Sequence, residues 1–120
     1  MEAKDLEFFK EYLSQMIEDI QRQGEATIEE MSDNVEYYSD PADRASAESD
    51  RTFTLRLRDR DRKLIKKINE ALDRIEDGTF GVCDDCDEEI GIPRLKARPV
   101  TTLCIECKSR REEEERLRGD

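Results

Sequence analysis

Four cysteines are the residues of this 120-residue chain whose type and spacing most plainly specify chemistry. Cys83-Asp84-Asp85-Cys86 and Cys104-Ile105-Glu106-Cys107 form two C-x-x-C pairs with 17 residues between them, a spacing suited to a structural zinc site. Two thiolates three positions apart on a tight turn can chelate one ion, and a second such turn completes the tetrahedron. Four protein sulfurs leave no open coordination position, so one structural Zn2+ is expected, without a catalytic water. Histidine is absent, which removes imidazole acid–base chemistry and every metal site that needs it. Two disulfides are an alternative that a reducing cytoplasm disfavours. A redox switch between zinc-bound and disulfide forms is also compatible with the spacing.

The elements that must position these sulfurs are small. The second pair is expected to open a C-terminal helix over Ile105–Arg118, whose first amides help stabilise thiolate charge. Phe80, Val82, Ile90, Ile92, Leu95, Val100 and Leu103 would supply short strands and a little apolar filling. The metal would then stand in for the hydrophobic core that so short a segment lacks. Arg94, Lys96, Arg98 and Lys108 lie nearby in sequence and could offset the net charge of a four-thiolate centre.

Composition bounds the rest. Charged residues make up 44% of the chain and hydrophobic residues 35%, which argues against one large core. With 32 acids against 21 bases the formal charge is -11, so non-specific attraction to DNA phosphates or anionic lipid is disfavoured. No apolar run approaches the roughly 20 residues of a membrane span, and no signal-peptide pattern opens the chain. A soluble, cytoplasmic protein is expected. The charge is segregated: residues 1–50 balance to -11, residues 51–78 to +3, and residues 79–120 to -3. The middle block carries Arg51, Arg56, Arg58, Arg60, Arg62, Lys63, Lys66 and Lys67.

Upstream of the cysteines the apolar spacing is helical. Leu6, Phe9, Leu13, Met16, Ile17, Ile20, Ile28 and Met31 recur at gaps near three and four over about residues 4–33, with Gly24 interrupting. Phe53, Leu57, Leu64, Ile65, Ile68, Leu72 and Ile75 repeat the pattern over about residues 42–76. Arg60 and Asp61 fall where another apolar seam residue belongs, so packing there should be looser or polar. Neither stripe can be buried alone, and an antiparallel pairing folded at Asp33 to Pro41 buries both. The expected fold is therefore mainly α: a long antiparallel coiled-coil hairpin over residues 1–77, with its tip near 33–43. A small four-cysteine zinc-finger module with a C-terminal helix follows over residues 78–120.

The tip reads Ser39-Asp40-Pro41-Ala42-Asp43-Arg44-Ala45. Asp40 suits an N-cap, Pro41 the first helical position, and Asp43 the first turn, where the macrodipole favours an acid. Those roles account for both aspartates structurally. Two carboxylates at the end of a rigid rod could also be carried into a narrow channel, to approach a metal, a base or a mobile loop.

Together these segments resemble the DksA/TraR family of RNA-polymerase-binding factors. The likeness lies in DPADRAS at the tip, RDRDRKLIKKI on the second helix, then FGVCDDC, EEIGIPRLKARP and LCIECK. It resembles the members whose hairpin helices are both full length, and covers essentially the whole chain. The resemblance implies a non-enzymatic transcription regulator that acts as a monomer and binds RNA polymerase without touching DNA. Its hairpin enters the secondary channel, alters promoter open-complex lifetime together with ppGpp, represses ribosomal RNA promoters and activates others. By motif, Asp40, Asp43 and Ala45 become the tip residues near the polymerase active site. Arg60, Leu64 and Lys67 face the polymerase rim or ppGpp, and Arg98 and Lys108 complete the ppGpp site at the interface. Guanidinium and ammonium groups suit diphosphates, although helix-face bases also simply solvate a helix.

Three departures qualify the likeness. The chain begins almost at the first hairpin helix, so an additional N-terminal segment of longer members is expected to be missing. Asp87 follows Cys86 where many zinc knuckles carry glycine, which should strain the local turn. Tyr37 and Tyr38 near the tip have no role that the motif transfers. Two other function classes are compatible with the residues: a Gre-like transcript-cleavage factor, whose tip acids would hold a second Mg2+, and a zinc-dependent redox sensor or adaptor.

Overall fold

Apolar spacing of three and four produces two long helices, as expected. The computed structural model describes residues 1–35 and 41–119, with side chains described for residues 1–25 and 44–119. Helix α1 spans Ala3–Val35, α2 Pro41–Asp77, α3 Ile92–Ala97 and α4 Ile105–Arg118. Gly24 does not interrupt α1, although a mid-helix glycine costs about 1 kcal/mol relative to alanine. The Arg58 Nε lies 3.8 Å from where a Gly24 Cβ would stand, an ordinary contact distance, so close packing does not demand glycine there. Helix α2 begins at Pro41, whose fixed φ suits a first turn. It stops at Gly78, whose φ of 83° is left-handed. The Arg74 carbonyl there accepts from the amides of Thr79 (2.9 Å) and Phe80 (3.1 Å), closing the orphaned end.

The chain forms two compact units, Met1–Leu13 with Ile68–Asp120, and Ser14–Lys67. In the first, α1 and α2 run antiparallel, with Lys10 pairing to Glu76 at 3.3 Å. Every described hydrophobic residue that is buried lies in this unit: Phe9, Leu13, Ile68 and Ala71 from the helices, and Phe80, Cys83, Ile90, Leu95, Leu103 and Cys107 from the cysteine module. The Phe9 and Phe80 rings pack with centroids 5.3 Å apart.

In the second unit the helices also pair, and Met16, Ile17, Ile20, Leu64 and Ile65 are half-buried. The seam of α2 differs here from the sequence expectation. Phe53 is 63% exposed and Leu57 42% exposed, whereas Thr54, Arg58 and Asp61 are half-buried. The reason is heptad phase. Ile75, Leu72, Ile68 and Ile65 set gaps of three and four, and the same gaps continue through Asp61, Arg58 and Thr54. An unbroken helix cannot change phase to bury the neighbouring apolar residues. Asp61 therefore occupies the seam position and Arg60 does not; Arg58 and Asp61 line a notch of about 290 Å³ beside Gly24.

The cysteine module also departs from expectation. Among the described residues it holds no strand, only an isolated antiparallel bridge between Val82 and Glu89. Val82 is exposed, and the short α3, opened by Gly91 and Pro93, buries Leu95 instead. Among the described residues no helix is long and apolar enough to cross a membrane.

Candidate metal centre

Each C-x-x-C pair sits on a turn that the backbone builds for it. In the first, the Cys83 amide donates to Glu88 O at 2.8 Å, and the Asp87 amide returns to Cys83 O at 3.0 Å. Closing so tight a loop puts Asp87 at φ 62°, the left-handed region that disfavours a side chain by about 1–2 kcal/mol. The strain expected at Asp87 is thus present. The Asp84 amide bonds Thr102 O at 2.9 Å, bringing the first turn against the approach to the second pair. In the second, Cys104 is the N-cap of α4, its sulfur accepting from the Cys107 amide at 3.5 Å.

The four sulfurs consequently lie within 4.8 Å of one another, with Cys86 and Cys104 separated by 3.9 Å. A tetrahedron of sulfurs about 2.3 Å from zinc has edges of about 3.8 Å, so the arrangement fits that ion. Cys83 and Cys107 are buried, Cys104 is half-buried and Cys86 faces solvent.

Electrostatics make a cation the natural occupant. Cys83 is lowered to about 6, chiefly by hydrogen bonding from the Cys104 backbone and then from Cys86 and Asp85, against the cost of burial. Cys107 is pushed up to about 12 by the Cys104 thiol, by burial, and by the sulfurs of Cys83 and Cys86. Cys86 is also raised: the Glu88 backbone pulls it down, but the Cys83 sulfur and burial outweigh that. One thiolate forms readily and its neighbours resist, as like charges in contact must. A divalent ion removes that resistance.

Most of the bases expected to offset the cluster's charge are engaged elsewhere. Arg94 Nε donates to Leu103 O at 3.0 Å, Lys96 lies 5.4 Å from the centre of the Phe8 ring, and Lys108 pairs with Glu112 at 3.9 Å. Arg110 and Arg111 serve instead. The Arg110 Nη2 lies 4.0 Å from the Cys107 sulfur, and Arg111 donates to the Asp85 carboxylate. Once Cys104 caps α4, helical spacing places 110 and 111 one turn beyond Cys107, a signal available from the sequence.

The remaining candidate residues occupy separate places. Arg60 and Lys67 are exposed and Leu64 half-buried, and their spacing puts them on one stripe of α2. The exposed Phe53 and Leu57 extend that stripe, a feature hidden from the sequence by their assignment to the seam. Arg98 is exposed at the end of α3, and Lys108 is half-buried in α4. Ala45 is exposed on α2. Asp40 lies outside the described residues; Asp43 falls within α2, but its side chain is likewise outside them.

Comparison with known proteins matches both segments. Residues 5–75 match the family model for the DnaK suppressor protein DksA, N-terminal domain. Residues 78–113 match the prokaryotic dksA/traR C4-type zinc finger. The RNA polymerase-binding transcription factor DksA of Caulobacter vibrioides is 45% identical over 120 residues, covering 100% of this chain and 84% of its own length. That of Escherichia coli strain K12 is 42% identical over 109 residues, covering 91% of this chain and 72% of its own. The structure of transcription factor DksA2 from Pseudomonas aeruginosa superimposes with a TM-score of 0.87 at 42% identity, covering 97% of this chain and 89% of that one.

Proposed function

The chain belongs to the DksA family, and from that membership we propose that it regulates transcription by binding RNA polymerase directly. The hairpin enters the secondary channel, and the residues that do the work are distributed along it. Asp40, Asp43 and Ala45 act at the tip near the active site. Arg60, Leu64 and Lys67, continued by Phe53 and Leu57, form the face that meets the channel rim. Arg60 and Lys67 on α2, and Arg98 and Lys108 in the cysteine module, are charge-assisted donors suited to ppGpp, completed by polymerase groups. The cysteine module holds one structural Zn2+, which supplies folding energy and no reaction step.

The observation that carries this reading is the joining, in one chain, of a hairpin helix exposing that basic and apolar stripe with a four-sulfur cluster of zinc dimensions. The acidic balance of -11 favours a polymerase surface over DNA. The protein therefore acts as a monomeric cytoplasmic regulator and not as an enzyme. It alters the lifetime of promoter open complexes, repressing ribosomal RNA promoters and activating others in concert with ppGpp.

Competition provides the test. Labelled chain bound to polymerase core should be displaced by a secondary-channel factor of the Gre class, and binding unaffected by that competitor would overturn the assignment.

A further inference from the structure

The first C-x-x-C turn carries an acid between its ligands, and α4 carries the base that meets it. Arg111 Nε donates to one Asp85 carboxylate oxygen at 2.8 Å, and Arg111 Nη2 to the other. The two residues are 26 positions apart, so this bidentate bridge joins the turn of Cys83 and Cys86 directly to the helix that Cys104 and Cys107 open. It spans the same gap that a metal ion would span. Asp85 is 29% exposed and Arg111 53% exposed, so the bridge contributes little to burial and acts by geometry.

We propose that Asp85 and Arg111 form a latch that sets how fast zinc leaves the four-cysteine centre; this rests on the reading that the four sulfurs hold one zinc. Cys86 is the solvent-facing sulfur, while Cys83 and Cys107 are buried. A competing chelator therefore enters on the Cys86 side. The Zn–Sγ bond of Cys86 breaks, the chelator's donor takes the vacated coordination position, and the sulfur leaves as thiolate and takes a proton from solvent, with no change of oxidation state. At that moment the turn from Asp84 to Asp87 is held by the Asp84–Thr102 backbone bond and by the Asp85–Arg111 bridge. A held turn returns its sulfur to the metal before a second bond breaks. A released turn swings away, and loss becomes irreversible. Asp85 and Arg111 are thus positioning residues, acting on the metal through the turn that bears Cys83 and Cys86.

The test uses the full chain loaded with zinc, mixed with excess 4-(2-pyridylazo)resorcinol, and follows formation of the coloured zinc complex. Metal analysis beforehand should find one zinc per chain; its absence would remove the premise and the inference with it. Arg111→Ala and Asp85→Asn should each accelerate release by about 3- to 10-fold, the range expected of an exposed bidentate pair and of groups that orient metal ligands. The double variant should release no faster than the faster single one. Arg111→Lys, which keeps the charge and loses the fork, should recover part of the delay. Arg116→Ala, which removes a base of the same helix that pairs with Glu113, should release at the parent rate. Helical circular dichroism of each loaded variant should match the parent, separating faster release from failure to fold. Parent-like release in both single variants, multiplicative effects in the double, or equal acceleration by Arg116→Ala would each overturn the latch.

Discussion

Phe9 and Phe53 fall at seam positions by apolar pattern, and the structure gives them opposite fates. Phe9 is fully buried, its ring 5.3 Å from that of Phe80 and 5.2 Å from that of Phe8. Phe53 is 63% exposed. Truncating Phe9 to alanine removes a large buried ring and leaves a cavity, which costs about 3–5 kcal/mol. About 0.5–1.5 kcal/mol of that belongs to the aromatic pair. Phe53→Ala removes a side chain already in water and should cost no more than about 0.5 kcal/mol. Urea unfolding of the zinc-loaded chains, followed by helical circular dichroism, measures both. For a slope of about 2 kcal/mol/M, Phe9→Ala should lower the midpoint by about 2 M while Phe53→Ala leaves it nearly unchanged. Equal losses from the two substitutions would refute the seam phase, and with it the exposed stripe on which the proposed docking face depends.

Three further outcomes follow from the site. Asp87→Gly should raise stability by about 0.5–1 kcal/mol, because glycine adopts the left-handed conformation without strain and gives back only part of that in chain entropy; a loss in thermal unfolding would show that the Asp87 side chain matters more than its φ. Zinc binding should release at least two protons at pH 7.5, since Cys86 and Cys107 are raised while Cys83, at about 6, is already a thiolate. Protons compete with the metal, so zinc affinity should fall as pH falls, and more steeply once it passes through about 6; an indicator titration finding fewer than two protons per zinc would contradict this. Asp43→Asn should leave polymerase affinity nearly intact while weakening the effect on transcription, and parallel loss of both would favour a helix-capping role for Asp43.

What could be read from sequence depended on how local the determining physics is. The two C-x-x-C pairs were legible because a chelating turn needs only four residues, and Asp87 was legible because its strain comes from the same turn. Helices α1 and α2 were legible to within a residue or two because Pro41 and Gly78 punctuate α2 and apolar residues recur through both. The inner face of α2 was not, because residue type and heptad phase disagree there. Phe53 and Leu57 are apolar, yet the phase set by Ile65, Ile68, Leu72 and Ile75 delivers Thr54, Arg58 and Asp61 to the partner helix. The expected strands around the first cysteine pair gave way to one bridge, since the Cys83 amide and carbonyl and the Asp87 amide are spent on the turn itself and the Asp84 amide on Thr102 O. The partnership of Asp85 with Arg111 was hidden by its 26-residue separation, which only the closed module brings into contact.

The lifetime of open complexes is the most direct readout of a regulator acting from within the secondary channel. Purified RNA polymerase is allowed to open a ribosomal RNA promoter, challenged with heparin, and the surviving complexes are counted over time with and without the chain, in the presence and absence of ppGpp. The chain should shorten the lifetime by itself and shorten it further with ppGpp. A lifetime unchanged at saturating concentrations of the zinc-loaded chain, under both conditions, would contradict regulation from within the secondary channel.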